Sequence, residues 1–120
     1  MEKKKILIVD DNKYMLDALQ EIIHIGGYQS EVADVDGPFK LSNELPDLIL
    51  MDIKMSGKDG RVICRDLKSK LKTKNIPIIL LSASHQLHDS ALLAGADVFM
   101  AKPFSMNELL EKINNLIINK

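Results

Sequence analysis

The sequence predicts an α/β fold in which a doubly wound, five-stranded parallel sheet is covered by helices on both faces. Three observations predict it. Short unbroken apolar runs recur along the chain, helix-period segments alternate with them, and only a few residues connect one to the next. Apolar runs without polar alternation belong to strands buried on both faces. Strictly alternating strand and helix imposes parallel pairing through right-handed crossovers.

Residues 6–9, Ile-Leu-Ile-Val, form the first strand and end at Asp10-Asp11. From Asn12 the apolar period lengthens, and Met15, Leu16, Leu19, Ile22 and Ile23 share one helix face. Asp11 or Asn12 can cap this helix, and Gly26-Gly27 ends it. Residues 28–33 are interrupted by polar side chains and fit an edge strand. A short second helix is expected to open at Asp36-Gly37-Pro38 and run to about Glu44, with Phe39 and Leu41 as candidates to face the core. Pro46-Asp47 turns the chain into residues 48–52, four apolar residues that run straight into Asp52. A third helix is expected from Asp59 or Gly60 to Leu71, with Val62, Ile63 and Leu67 inward and Arg65, Asp66, Lys68 and Lys70 largely outward. Residues 78–81 are the fourth strand, which stops at Ser82-Ala83-Ser84. Ser84 can cap a fourth helix reaching about Ala94, with Gly95 after its end. Residues 98–101 are the last strand, which stops at Lys102-Pro103-Phe104. Ser105 and Glu108 have capping-box spacing ahead of a final helix with Leu109, Leu110, Ile113, Leu116 and Ile117 on its apolar stripe. With strand order 2-1-3-4-5 this is a flavodoxin-like (βα)5 arrangement.

A chain of 120 residues is long enough for one domain with a single core, and 46% hydrophobic with 28% charged residues is ordinary for a soluble protein. A formal net charge of -1 gives no global attraction to nucleic acid or to an anionic membrane. The basic start Lys3-Lys4-Lys5 is followed by too short an apolar run for a signal peptide, and no run reaches membrane-spanning length. The single Cys64 excludes an internal disulfide, fits a cytoplasmic setting, and lies in a core-like context beside Val62, Ile63 and Leu67. His24, His85 and His88 form no metal-ligand cluster with cysteine and read as surface residues.

Chemistry gathers at the C-terminal strand ends. These carry Asp10-Asp11, Asp52, Ser82 and Lys102, each directly after an apolar run. In a parallel sheet all these ends lie on one edge, and order 2-1-3-4-5 makes the first and third strands neighbours at the topological switch point. Each residue has a plain reading by itself: Asp10-Asp11 caps a helix, Asp52 caps a turn, Ser82 ends a strand and Lys102 is solvated. Their recurrence at matching strand ends favours a common site. Three carboxylates in one crevice repel one another unless a cation enters. Oxygen-only ligands suit magnesium, with manganese as the alternative. A carboxylate beside such an ion can attack a phosphoryl group, with Lys102 and Ser82 on the transferring oxygens. No glycine-rich phosphate loop or dinucleotide fingerprint is present, so the phosphoryl donor is expected from outside.

Over nearly its whole length the chain resembles the response-regulator receiver domains of bacterial two-component signalling. The likeness is carried by Ile6-Leu7-Ile8-Val9-Asp10-Asp11, Pro46-Asp47-Leu48-Ile49-Leu50-Met51-Asp52, Leu81-Ser82-Ala83, Gly95-Ala96-Asp97 and Phe99-Met100-Ala101-Lys102-Pro103-Phe104. The resemblance implies one receiver domain over residues 1–120, not an enzyme with a separate substrate. It implies that Asp52 accepts a phosphoryl group from the phosphohistidine of a histidine kinase or phosphotransfer protein. It further implies magnesium bound by Asp11, Asp52 and the backbone carbonyl of Lys54, with Asp10 contacting the ion directly or through water. Ser82, the Ala83 N–H and Lys102 would hold the phosphoryl oxygens, and the bond before Pro103 is expected to be cis. Ser82 and Phe99 occupy the family's switch positions, which implies a downstream protein partner on the face of the fourth helix, fifth strand and fifth helix, with no nucleic acid bound directly and no membrane insertion.

Two departures from the family pattern stand beside Asp52. Ser56 replaces the usual Pro after Met55, which implies a less rigid loop. Lys54 places a cation where many members are neutral; a solvated lysine without effect is the alternative. Two other function classes stay open here. One is a scaffold that keeps the fold without phosphorylation; the other is an aspartyl-phosphate hydrolase of the haloacid-dehalogenase type. The hydrolase lacks support, because position 12 is Asn where a second Asp is needed and no cap domain is evident. The chain is expected to carry no output domain; a single-domain regulator, a phosphorelay intermediate and one domain of a longer protein all fit.

Overall fold

The chain alternates strand and helix as the sequence predicts, except between the second and third strands, where no helix stands among the described residues. The computed structural model describes residues 3–35 and 40–118. In order these form β1 (Lys5–Val9), α1 (Lys13–Ile25), β2 (Gln29–Val32), β3 (Leu48–Asp52), β4 (Lys54–Met55), β5 (Lys58–Asp59), α2 (Gly60–Lys68), β6 (Ile78–Ser82), α3 (His88–Leu93), β7 (Val98–Ala101) and α4 (Met106–Ile118). A five-stranded parallel sheet has the order β2-β1-β3-β6-β7, which is 2-1-3-4-5 when its own strands alone are counted. The remaining pair, β4 and β5, is a small antiparallel hairpin after Asp52.

Alternate residues of the central strands β1, β3 and β6 feed two cores. Leu7, Val9, Ile49, Met51, Ile78 and Leu80 pack with Cys64, Leu67 and Ala91 of α2 and α3 on one face. Ile6, Ile8, Leu48, Leu50, Ile79 and Leu81 pack with Leu19, Ile23, Leu109 and Ile113 of α1 and α4 on the other. This is why the strands read as unbroken apolar runs: both of their faces are covered. Leu50 is 0% exposed at the centre of the sheet. Leu50→Ala is expected to destabilise the fold by about 3 kcal/mol, the usual cost of a large-to-small change in a close-packed core. A urea titration with an unchanged slope and a lowered midpoint checks it.

Local signals act where the sequence places them. Asn12 Oδ1 accepts the Met15 N–H at 3.0 Å, and Asp59 Oδ1 accepts the Arg61 N–H at 2.9 Å. The capping box closes in both directions, from the Glu108 N–H to Ser105 Oγ at 3.0 Å and from the Ser105 N–H to Glu108 Oε1 at 3.4 Å. The Lys102–Pro103 peptide bond is cis.

Four expectations are corrected. Residues 40–44 form no helix, and the rest of the expected second helix, including Phe39, lies outside the described residues. Leu41 does pack against the first core. The third helix ends at Lys68, not Leu71, which is 85% exposed; Ser69 closes the turn with its hydroxyl on the Asp66 carbonyl. Val62 points outward at 63% exposure, because Cys64 and Leu67 already fill the face toward the sheet. Residues 85–87 form a 3-10 turn ahead of α3, and the Ser84 side chain makes no capping bond; its N–H instead donates to Ser82 Oγ at 3.0 Å.

Candidate functional site

Register builds the site before any side chain is considered. Val9 lies beside Met51, so the next residues, Asp10 and Asp52, leave the sheet side by side at the β1/β3 switch point. Ser82 pairs with Ala101, and the Lys102 N–H donates to the Ser82 carbonyl at 2.8 Å. Four strand ends thus converge on one crevice.

Asp10, Asp11 and Asp52 each offer a carboxylate oxygen within 4.8 Å of the others. Asp10 is 2% and Asp52 8% exposed, whereas Asp11 is exposed. Lys102 Nζ donates to Asp52 Oδ1 at 3.0 Å and stands 3.7 Å from Asp10 Oδ2, too far for a hydrogen bond. Asp10 Oδ1 accepts the Asn12 N–H at 2.8 Å, but its buried Oδ2 has no donor. An orphaned carboxylate oxygen inside a three-carboxylate cluster fits a hard divalent cation, which would supply the missing partner.

Charge and burial set the acidities. Burial pushes the Asp52 carboxyl above its ordinary range; the Lys102 ammonium opposes this, and Asp10 and Asp11 add to it. Asp11 moves the other way, held below its usual range by the backbone and side-chain donors of Ser56. Burial pushes the Cys64 thiol up to about 11, which makes it an inert core residue.

Two clefts meet at Asp52 and Lys102. One, about 390 Å³, is walled by the three carboxylates with Asn12, Tyr14 and Lys54. The other, about 270 Å³, is walled by Ser82, Ala83 and Ser84. A cation suits the first, and anionic oxygens suit the donors of the second. Behind Asp52 the backbone is crowded: a Cβ at Gly60 would come within 2.4 Å of the Asp52 carbonyl oxygen, so only glycine fits there.

The sequence of 120 residues matches the response regulator receiver domain family over residues 6–114. The chain belongs to that family. Response regulator MprA of Mycobacterium sp. (strain KMS) is 32% identical over 117 residues, which cover 94% of this chain and 50% of that protein. The chain therefore spans about half the length of the curated relatives it matches. A response regulator receiver domain protein (CheY-like) from Methanospirillum hungatei JF-1 superposes with a TM-score of 0.86 at 32% identity, covering 98% of this chain and 96% of that one. The receiver domain of sensor histidine kinase PA1611 from Pseudomonas aeruginosa PAO1, solved with magnesium coordinated in its active site cleft, shares the fold with a TM-score of 0.80 at 23% identity, covering 97% and 98% of the two chains.

The receiver domain's expected site residues are brought together with one exception. Phe99 stands on β7 beside Leu80, short of the crevice, half-buried against the first core. Its ring meets His88 edge-on, with centroids 5.5 Å apart and planes at 89°. His88 is exposed, as the sequence predicts, and its ring also packs against Phe99. Ser56 makes contacts that its sequence context does not announce. Its N–H and hydroxyl donate to Asp11 Oδ2 at 2.7 and 2.8 Å, so the turn beyond Asp52 is tied down at this residue. A donor-bearing residue in a two-residue Ser-Gly turn beside the switch point was the available signal.

Proposed function

We propose that Asp52 is the phosphoacceptor of this receiver domain and takes its phosphoryl group from the phosphohistidine of a histidine kinase or phosphotransfer protein. The observation that carries the reading is the position of Asp52 between the two clefts, with carboxylates on one side, Ser82 and Ala83 on the other, and Lys102 bonded to it at 3.0 Å. An Asp52 oxygen attacks phosphorus, the phosphorus–nitrogen bond breaks, and its electrons stay with the departing imidazole. Asp10, Asp11, Asp52 and the Lys54 carbonyl are the groups that would hold magnesium, which neutralises charge on the transferring oxygens when bound. Lys102 exchanges its bond to Asp52 for one to a phosphoryl oxygen. Ser82 and Ala83 line the second cleft, and the hydroxyl of one and the N–H of the other would donate to the remaining oxygens.

The phosphorylated side chain then biases the fold. A doubly charged group with three acceptor oxygens draws Ser82 toward it. That movement opens room for Phe99 to turn inward and alters the α3-β7-α4 face offered to a protein partner. The chemistry is stoichiometric: the domain catalyses its own phosphotransfer and dephosphorylation.

Incubation with acetyl phosphate and magnesium is expected to add one phosphate, and chelation of the ion is expected to prevent it. Mass spectrometry is the readout, since the chain has no Trp to report quenching. No addition from acetyl phosphate, phosphoramidate or a competent kinase would overturn the reading.

A further inference from the structure

Ser56 is the tip residue of the β4–β5 hairpin, paired with Gly57 in the turn between Met55 and Lys58. Both of its donors reach the same atom, Asp11 Oδ2, across 45 residues of sequence. Asp10 and Asp52 are fixed by burial at strand ends, but Asp11 lies outside the sheet and is exposed. The hairpin that presents Ser56 is itself anchored: the Gly60 N–H donates to the Ile53 carbonyl at 2.7 Å, and Lys58 Nζ bonds the Val35 carbonyl.

We propose that Ser56 is a positioning residue for divalent-cation binding, orienting the Asp11 carboxylate through Oδ2 so that its other oxygen is left for the ion. The proposal rests on the reading above that the carboxylate cluster takes magnesium. A carboxylate oxygen that already accepts two hydrogen bonds has its lone pairs occupied, so the ion falls to Oδ1. Two donors from a fixed hairpin also restrict the side-chain rotation of an exposed Asp, and that ordering is complete before the ion arrives. Partners that orient a metal ligand from outside the coordination sphere commonly change affinity by about 10–100-fold. The same bonds tie the hairpin to the crevice, so loading of the ion and the hairpin's position are coupled.

Magnesium binding to the unphosphorylated full chain, followed by isothermal titration calorimetry with magnesium chloride alone, tests the proposal. Ser56→Ala removes the hydroxyl and is expected to raise the Kd about tenfold. Ser56→Pro removes both donors and is expected to raise it further, while Ser56→Thr keeps both and restores binding near the wild-type value. In an Asp11→Ala background, Ser56→Ala is expected to change the Kd no further, because the effect runs through the Asp11 carboxylate. Thermal unfolding in EDTA monitors the fold of each variant. A wild-type chain that binds magnesium beside a Ser56→Ala variant with equal or tighter affinity overturns this inference alone. An undiminished Ser56→Ala effect in the Asp11→Ala background overturns it as well. A wild-type chain that binds no magnesium overturns the inference together with the reading of the site.

Discussion

Asp52→Asn is expected to take up no phosphate from any donor and, with magnesium removed, to be more stable than the wild-type chain at pH 7. The first half follows from chemistry. A side-chain amide oxygen is a poor nucleophile, and the variant removes one of the three carboxylates that converge in the crevice. The second half follows from linkage. Burial, the largest influence, raises the folded-state pKa of Asp52 above the ordinary 3.8 despite Lys102. As pH rises from 3.8 to the folded-state value, the unfolded chain has lost its proton while the folded chain still holds it. The unfolded state then binds fewer protons, so stability falls across that window and the full cost persists above it. Asn carries no charge to bury and keeps an oxygen for the Lys102 ammonium. Urea midpoints of the two proteins in EDTA check the sign: the variant's advantage at pH 7 should vanish below pH 3.8. An Asp52→Asn chain that is equally stable or less stable at pH 7 would refute the claim that burying the Asp52 charge costs stability.

Burial also governs how much of this domain is legible in its sequence. The central strands β1, β3 and β6 were readable because both of their faces are buried, which leaves an uninterrupted apolar signature and a sharp polar end. The site followed from those ends, since parallel register alone brings Asp10, Asp52, Ser82 and Lys102 to one edge. What could not be read depended on side chains meeting across the fold. Val62 and Cys64 sit two residues apart on α2, yet one is exposed and the other buried; helical period admits either phase when apolar residues crowd the helix. Ser56 looked like a loosened loop because its sequence context lacks the stiffness of Pro; its bonds to Asp11 depend on where the hairpin lands. His88 against Phe99 and Arg61 against Ser90, at 3.1 Å, are likewise contacts between elements that no local pattern announces.

Lys102→Met separates the two tasks proposed for Lys102, and its effects are expected to have opposite signs. The stem of Lys102 lines an apolar cleft with Met15, Ala18, Leu19, Ile22, Pro103 and Phe104, and Met preserves that packing while deleting the charge. The ammonium now stands 3.0 Å from Asp52 and 3.7 Å from Asp10, where it is the cation bonded to the cluster. Its loss leaves the three carboxylates more strongly repelled from one another, and an arriving ion no longer faces a resident positive charge. Magnesium affinity is therefore expected to rise. Phosphorylation is expected to slow by about 10²–10³-fold, the usual consequence of removing one preorganised donor from a transition state that concentrates negative charge. Calorimetry in magnesium chloride and the initial rate of mass gain in acetyl phosphate measure the two effects on the same preparation. Weaker magnesium binding in Lys102→Met would mean that Lys102 orders the carboxylates for the ion; an unchanged rate would mean that it does not touch the transferring oxygens. Tighter binding with slower transfer is the combination required if Lys102 holds the place of the ion and the phosphoryl group in the resting site and moves onto the phosphoryl oxygens as transfer proceeds.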